Sequence, residues 1–418
     1  MFKFAHIADC HIGANRDSTL RDLELSAFRA AVDRCIEERV NFILITGDLF
    51  HVNVPDMGAA NEAVKKLREA KEAGIEIYAI YGSHDYSPNE TSMVDVLDSA
   101  GLIRKVTRGR MVEGKLRLEF ITDPGTGAKL AGLSARQRGI ERDFFELLDR
   151  ETLAREKGFK VFAFHSALTE LKPGYLARME SIPLSLLPRG FDYYAGGHIH
   201  QHLLAQMPGY GTIGYPGPLF AGYPRDLELS ARGEKRGFYV VYFEEGVKDV
   251  RFVEIPVCQY VYVEYDANGK NSAEAQRELL KRLAELDVEG KLVVLRIKGE
   301  LSGGKMSDIS STRIRSLLAE KGALYVSINR FALTSKEYVS MRVSGEDATT
   351  IENRLFRENV GAVKVSNSAL KGEAGAKLAM ELLKVLRQPQ KLNEAKKDYE
   401  GRILREAVEA LQLREVLG

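Results

Sequence analysis

Histidine is missing from more than half of this 418-residue chain: there are eight, and all lie at or before His202. Imidazole chemistry is therefore confined to the N-terminal part, and the rest cannot hold a second centre of the same kind. Cysteine is scarce as well. Cys10, Cys35 and Cys258 have no CxxC spacing, and three cannot all pair within one chain. That excludes a disulfide-stapled scaffold and points to a reducing compartment. No apolar run approaches the roughly 20 residues that span a bilayer, and Met1-Phe2-Lys3-Phe4-Ala5-His6 carries no secretion signal. A soluble, cytoplasmic protein with no membrane association is expected. Net charge is only +1, so no global field draws in a polyanion, and any attraction for phosphate must be local. With 44% apolar and 28% charged residues the chain is neither disordered nor fibrous, and its length fits two or three domains.

Five short stretches each end an apolar run with metal-binding side chains. They are Asp9-Cys10-His11, Gly47-Asp48-Leu49-Phe50-His51, Gly82-Ser83-His84-Asp85, His165 after Val161-Phe162-Ala163-Phe164, and Gly197-His198-Ile199-His200. A mixture of imidazole and carboxylate suits Mn, Fe and Zn. One histidine at a strand end is more often structural than a ligand. Six of them with two aspartates, all at strand ends in one region, reverse that weighting in favour of metal. His6, inside the first strand, and His202, past the last motif, are read as structural, and Cys10 as a bystander.

Phe2 to Ala8 reads as a strand, and in extended backbone Asp9 and His11, two apart, would face one ion. A helix follows over about Ser18–Glu38, with Leu20, Leu23, Phe28, Ala31, Cys35 and Ile36 at helical spacing. Asn41 to Thr46 is a continuous apolar run, the mark of a strand buried on both faces. A second helix over about Met57–Glu72 leads to the strand Ile75–Tyr81. Three such units imply a mostly parallel sheet, whose ligands gather at the carboxyl ends of the strands. Every motif sits at such an end. Between Leu102 and Ser134 the pattern changes to hairpins, and Arg104–Arg117 holds six basic residues against Glu113 alone. A solvated face and a nucleic-acid contact are equally good readings of that segment. Strands ending at His165 and His198 follow, then a glycine- and proline-rich loop, Gly211–Tyr223, near the site. Strands over Phe238–Phe243 and Val250–Ile255 complete the domain.

Four regions are expected: a catalytic domain over 1–255, a small α+β domain over 256–345, a linker region over 346–375 and a helical module over 376–418. The second has strands near Tyr260–Tyr265, Leu292–Ile297, Leu324–Ile328 and Tyr338–Val343, with helices over Ser272–Leu286 and Ser307–Ala319. Residues Ser366–Gly375 are small and polar, as suits a linker. The last region holds two amphipathic helices around Pro389, one with Ala379, Leu382, Leu383 and Leu386 on a face, the other with Leu392, Ala395, Tyr399, Ile403, Ala407 and Leu411. Two short helices on a tether bury little between themselves. They read as a module for docking a partner, against the alternative of packing back on the body.

A phosphodiester resists attack because it is anionic and its leaving alkoxide is poor, and two metal ions answer both problems. The series D-x-H, G-D, G-x-H, H and G-H-x-H resembles the calcineurin-like metallophosphoesterase superfamily. That resemblance implies an α/β fold, an α/β/β/α sandwich with a small α+β cap and a C-terminal helical module. It also implies two divalent ions: Asp9, His11 and His200 on the first, Ser83, His165 and His198 on the second, and Asp48 bridging. A histidine three places after the bridging aspartate, with the cap and the tethered helices, is similar to the DNA double-strand-break repair nucleases of the Mre-Rad (SbcD-like) family across essentially the whole chain. The resemblance then implies a manganese-dependent 3′-to-5′ exonuclease that also cuts single strands and hairpins. Its DNA work would be done as a homodimer with a Rad-type ABC coiled-coil ATPase gripped by the C-terminal helices. Helices carrying Met57, Val64, Leu67, Met93, Val94 and Leu97 lie where such nucleases dimerise, though core packing is the ordinary reading of these residues. His84 would assist at the scissile phosphate and leaving group, and His51 would position the phosphate. Asp85 has three open readings: orienting His84, capping the helix that starts near Thr91, or shaping the turn.

One position departs from the pattern: Ser83 stands where the family has asparagine. A hydroxyl is shorter and a weaker donor than an amide oxygen, so a weaker second site is expected. Two other readings remain, a metallophosphoesterase acting on phosphoproteins or small phosphodiesters, and a non-catalytic scaffold. His51 and the tethered helices count against the former, and the intact ligands against the latter.

Overall fold

The computed structural model describes residues 1–86, 91–135, 141–336, 352, 356–357, 372–391, 394 and 396–411. The first half runs β1 (Phe2–Ile7), α1 (Ser18–Glu37), β2 (Phe42–Thr46), α2 (Met57–Glu72), β3 (Glu76–Ile80), α3 (Met93–Ser99) and β4 (Arg104–Lys105), then a hairpin of β5 (Gly109–Val112) and β6 (Lys115–Leu118). It continues with β7 (Ile121–Thr122), β8 (Lys129–Leu133), α4 (Glu141–Leu147), α5 (Arg150–Arg155), β9 (Lys160–His165), β10 (Tyr193–Gly197), β11 (Leu203–Gln206), β12 (Thr212–Tyr215), α6 (Pro224–Ala231), β13 (Gly237–Phe243) and β14 (Val247–Glu254).

These strands form two six-stranded sheets, ordered β14-β13-β1-β2-β3-β4 and β11-β12-β10-β9-β8-β7. The expected parallel character holds only in the middle of each. β1 to β4 are parallel in one and β8, β9, β10 and β12 in the other, while β13, β14, β7 and β11 run against their neighbours.

The two-residue period of the strands sorts each apolar run onto two cores. Phe4, Phe42, Leu44, Tyr78 and Ile80 of the first sheet meet Leu130, Val161, Ala163, Tyr193 and Ala195 of the second between the sheets. Phe4 stacks on Phe42 at 4.8 Å, and Phe159 on Phe243 at 4.0 Å. The alternate residues, Ala5, Ile7, Ile43, Ile45, Ile77 and Ala79, face α1 and α2 through Phe28, Ala31, Ala63 and Leu67. On the far side, Phe162, Phe164 and Tyr194 pack under Phe145 and Leu153 of the short helices α4 and α5. This is the α/β/β/α sandwich. Asp17 and Asp56 cap the two long helices, each accepting two backbone N–H groups. On α2 and α3, Leu67, Val94 and Leu97 are core residues, whereas Met57 and Val96 are exposed.

His6 joins the two sheets. Its Nδ1 lies 3.0 Å from the Tyr193 hydroxyl and its Nε2 2.9 Å from Thr46 Oγ1, with no exposed surface. Burial drives its pKa down to about 3. A depressed folded-state pKa means its stabilising contribution is complete above the ordinary value of 6.5 and is lost as pH falls towards 3. His6→Gln should therefore destabilise the protein more near pH 7 than near pH 5, by on the order of 2 kcal/mol in urea titrations. Equal losses at both pH values would refute this account.

The remaining elements are β15 (Gln259–Asp266), α7 (Ser272–Ala284), β16 (Lys291–Leu301), α8 (Ser311–Glu320), β17 (Tyr325–Ser335), α9 (Gly372–Leu386) and α10 (Lys396–Ala410). β15, β16 and β17 form one sheet in that order. β17 runs longer than the expected Leu324–Ile328, and the expected strand Tyr338–Val343 lies outside the described residues. So do Leu392, Ala395 and most of the expected linker, and Gly372–Gly375 at its end lie in the first turn of α9. Glu373 and Ala374 favour the helix there more than the small-residue composition suggests.

The chain forms two compact units. One is Met1–Asp266 with Glu278–Ile297 and Ser310–Phe331; the other is Ala267–Arg277 with Lys298–Ile309 and Ala332–Gly418. In the second, α9 and α10 pack together, and the Tyr399 hydroxyl donates to the Gln388 carbonyl at 3.0 Å. Among the described residues no helix is long and apolar enough to cross a membrane.

Candidate metal centre

Five parallel strands, three in one sheet and two in the other, deliver all the motif residues to one end of the sandwich. The backbone does this differently from the expectation. Asp9 and His11 do not continue β1 in extended form: their φ angles are 51° and 46°. Asp48 (φ 50°) and His198 (φ 85°) share this left-handed region, so four of the six described non-glycine residues with positive φ belong to the site. Asp and His tolerate that conformation better than most residues, and such backbone concentrates at functional sites. The turns also need glycine. A Cβ at Gly82 would overlap the Asp48 carboxylate, and one at Gly47 would overlap His165 Nδ1.

Ring nitrogens and carboxylate oxygens of Asp9, His11 and His200 lie within 4.8 Å of one another, as do those of Asp9, Asp48 and His165, and those of His11, His51 and His84. Asp48 Oδ2 is 3.2 Å from His165 Nε2 and 3.6 Å from His11 Nε2, between two imidazoles expected on different ions. The His198 backbone N–H donates to both oxygens of Asp9, at 2.9 and 3.1 Å, and its ring centre is 5.2 Å from that of His165. Ser83 lines the same pocket as Asp48, His84, His198 and His200.

The electrostatics call for cations. Asp9 and Asp48 are 0% and 2% exposed, and buried carboxylates are costly without counter-charge. Burial pushes the Asp9 pKa up to about 6 against the pull of His165 and His200. For Asp48 burial is outweighed by His165 and His11, which hold it well below the carboxylate range. His165 responds in the opposite sense. Burial lowers it, but Asp48 and Asp9 raise it further, to about 10. Its Nδ1 is held by the Thr46 carbonyl at 2.8 Å, while its Nε2 is buried and has no hydrogen-bond partner among the described residues. A buried, unpartnered nitrogen aimed at two carboxylates is the arrangement of a ligand set, and these residues fit a pair of divalent ions.

Supporting groups come from far along the chain. Asp226 Oδ2 sits 2.9 Å from His200 Nδ1, leaving Nε2 for the site, and also accepts the Tyr223 backbone N–H at 3.1 Å. Arg236 donates to the His200 and Asp226 carbonyls at 2.7 and 3.0 Å. Glu228, two residues on from Asp226, accepts from Arg296 at 2.6 Å and Asn329 at 2.9 Å, tying α6 to β16 and β17. None of these was a site residue in the sequence reading. A metal-binding histidine needs an acceptor for its other nitrogen, but its identity is not a local signal.

Among the described residues Asp85 neither orients His84 nor caps a helix. It is buried and accepts N–H groups from Leu49 at 3.2 Å, Phe50 at 3.0 Å and Gly82 at 3.0 Å, locking two motif turns together. Ser92 and Asp95 cap α3 instead. His84 is oriented by the His51 carbonyl, 2.8 Å from its Nδ1, and its backbone N–H donates to Asp48 Oδ1 at 2.8 Å. The His51 and His84 rings stack at 4.6 Å. In the basic segment, Lys105 pairs with Asp95 at 2.5 Å and Arg117 with Asp149 at 3.1 Å, while Arg108, Arg110 and Lys115 are exposed.

Residues 2–202 match the calcineurin-like phosphoesterase family. These residues include every motif position described above, and the chain is a metal-dependent phosphoesterase. Similar proteins include the DNA double-strand break repair protein Mre11 of Archaeoglobus fulgidus, 28% identical over 90% of this chain and 87% of its own length. The protein of the same name from Sulfurisphaera tokodaii is 26% identical, covering 90% of this chain and 92% of its own. Among solved structures, a dimetal phosphatase from Danio rerio aligns with a TM-score of 0.38 at 13% identity, covering 61% of this chain and 99% of that one.

Proposed function

We propose that this chain is a two-metal DNA nuclease, a 3′-to-5′ exonuclease and single-strand endonuclease that uses manganese in double-strand break repair. The observation that carries this reading is the trio His11, His51 and His84 beside the buried carboxylates, in a chain similar to repair proteins along most of its length. Asp9, His11 and His200 would hold one ion, and Ser83, His165 and His198 the other, with Asp48 between them. Bound there, the ions supply positive charge to the phosphate and make water acidic enough to serve as nucleophile at neutral pH. The chain's own side chains do the rest. Asp226 and the Thr46 carbonyl hold the His200 and His165 rings in place. The His51 carbonyl takes Nδ1 of His84, so that Nε2 is the nitrogen turned to carry a proton towards the leaving oxygen. His51 stands beside it to position the phosphate.

Domain limits of 1–255, 256–345, 346–375 and 376–418 go with this reading, the second region guiding DNA. α9 and α10, with Leu386 and Leu404 exposed, would dock a Rad-type ABC ATPase. Exposed Met57 and Val96 on α2 and α3 suit a homodimer, working in the cytoplasm. End-labelled duplex DNA with manganese or magnesium, with and without such an ATPase, tests the activity. Release of nucleotides is expected. Inert DNA beside rapid turnover of a small phosphate ester would favour the phosphoprotein or small-diester reading, and no turnover of either would favour a scaffold.

Ser83 makes a separate prediction. Its side chain is the shortest donor of the set, so the second ion should bind more weakly than the first. Ser83→Asn should tighten it by about tenfold or more in calorimetric manganese titrations, by analogy with altered metal shells. Two equally tight ions in the unmodified protein would contradict this.

A further inference from the structure

Tyr223 has no place in the ligand set, yet it is built into the same frame. Its backbone N–H donates to the Asp226 oxygen that faces His200, and the preceding Gly222 packs against the His11 ring. The Tyr223 ring lies 5.5 to 5.8 Å from those of His200, His11 and His51, and its hydroxyl is 2.9 Å from His84 Nε2. Because the His51 carbonyl takes Nδ1 of His84, Nε2 accepts from that hydroxyl when the ring is neutral. The tyrosine oxygen thus occupies the position beside His84 that a substrate oxygen needs. Tyr223 is 38% exposed and, with Leu176 and Met179, contributes apolar lining to a pocket of about 340 Å³. His11, Asp48 and Ser83 also line it. A cavity lined both by candidate cation-binding side chains and by aromatic and aliphatic ones matches a single nucleotide, with its phosphate at the former and its base or sugar at the latter.

We propose that Tyr223 is a substrate-binding residue on which an unpaired nucleotide next to the scissile phosphate stacks, its hydroxyl giving up His84 Nε2 to a phosphate oxygen as the strand enters. The inference rests on the nuclease reading and adds which side chain takes the nucleoside. A base stacked within a duplex offers no free face, so this lining selects unpaired nucleotides.

The test uses the full chain and a single-stranded oligonucleotide carrying 2-aminopurine at its 3′ end. Binding is followed by 2-aminopurine fluorescence in calcium, with gels showing that the strand stays intact, and KM and kcat are measured in manganese. The unmodified protein should quench the probe. Tyr223→Phe, which keeps the ring, should quench it too and retain KM. Tyr223→Ala should lose the quenching and raise KM on the order of 10- to 100-fold, with a smaller change in kcat and an unchanged circular dichroism melt. Quenching retained by Tyr223→Ala, or lost equally in Tyr223→Phe, overturns the stacking role while leaving the nuclease reading intact. An unmodified protein that neither binds nor cuts the strand removes both.

Discussion

Asp48→Asn should lower manganese-dependent DNA cleavage on the order of 10³-fold or more, the scale expected when a pre-organised charge at a two-metal phosphodiester site is removed. Asp48 Oδ2 is the atom lying between His165 and His11, and Oδ1 holds the backbone of His84. An asparagine keeps the shape and could still accept from His84, but it removes the negative charge that two cations would share. The loss should therefore appear in metal binding as well as turnover. Calorimetric titration is expected to show the second ion bound weakly or not at all, and the first weakened. A variant that cleaves within about tenfold of the unmodified protein would remove Asp48 from the centre of the mechanism. The amide keeps the side chain's volume but removes the carboxylate that holds His165 charged in the ion-free protein, so a circular dichroism melt should accompany the titration to show that the variant is folded.

His84→Ala should leave metal binding unchanged and reduce kcat by about 10² to 10⁴, the range for loss of a positioned acid or base. The geometry makes this separation possible. His84 is joined to Asp48 only through its backbone N–H, which alanine retains, and its ring is held by His51 and Tyr223 rather than by the carboxylates. The loss should be uniform across DNA substrates, because the proton is needed wherever the bond breaks. His51→Ala should act more selectively, impairing exonuclease cutting more than single-strand cutting, since its proposed part is to place the phosphate. If His84→Ala lost its metal ions, or if kcat stayed within about twofold, the assignment of His84 to the chemical step would fail.

The two aspartates and the histidines of the motif set were legible because each chemical type recurs at the end of an apolar run. Period-two burial then forces such runs into strands whose ends share a side of the sheet. The sandwich followed from the resemblance, and the alternating inner and outer residues of β1, β2 and β3 show its physical basis. Other features were not legible. Extended backbone was expected at Asp9 and His11, but the chain turns left-handed there, and the two side chains leave β1 to meet those delivered by the other sheet. Asp85 had three open readings in the sequence, and only the structure selected the shaping of a turn, through the N–H groups of Leu49 and Phe50. Asp226 and Tyr223 carry no motif of their own.

By itself the sequence determined which side chains could hold metal, because imidazole and carboxylate at strand ends have few other uses in such number. It also determined that the C-terminal half holds no histidine and so no equivalent centre. Only the tertiary structure decided how the residues are oriented. The tautomer of His84 depends on a carbonyl 33 residues away, the ring of His200 on a carboxylate 26 residues away, and the contact between His84 and Tyr223 spans 139. Ligand identity is a property of single side chains at short spacing. Orientation depends on hydrogen bonds that form only once two sheets and a helix have packed together.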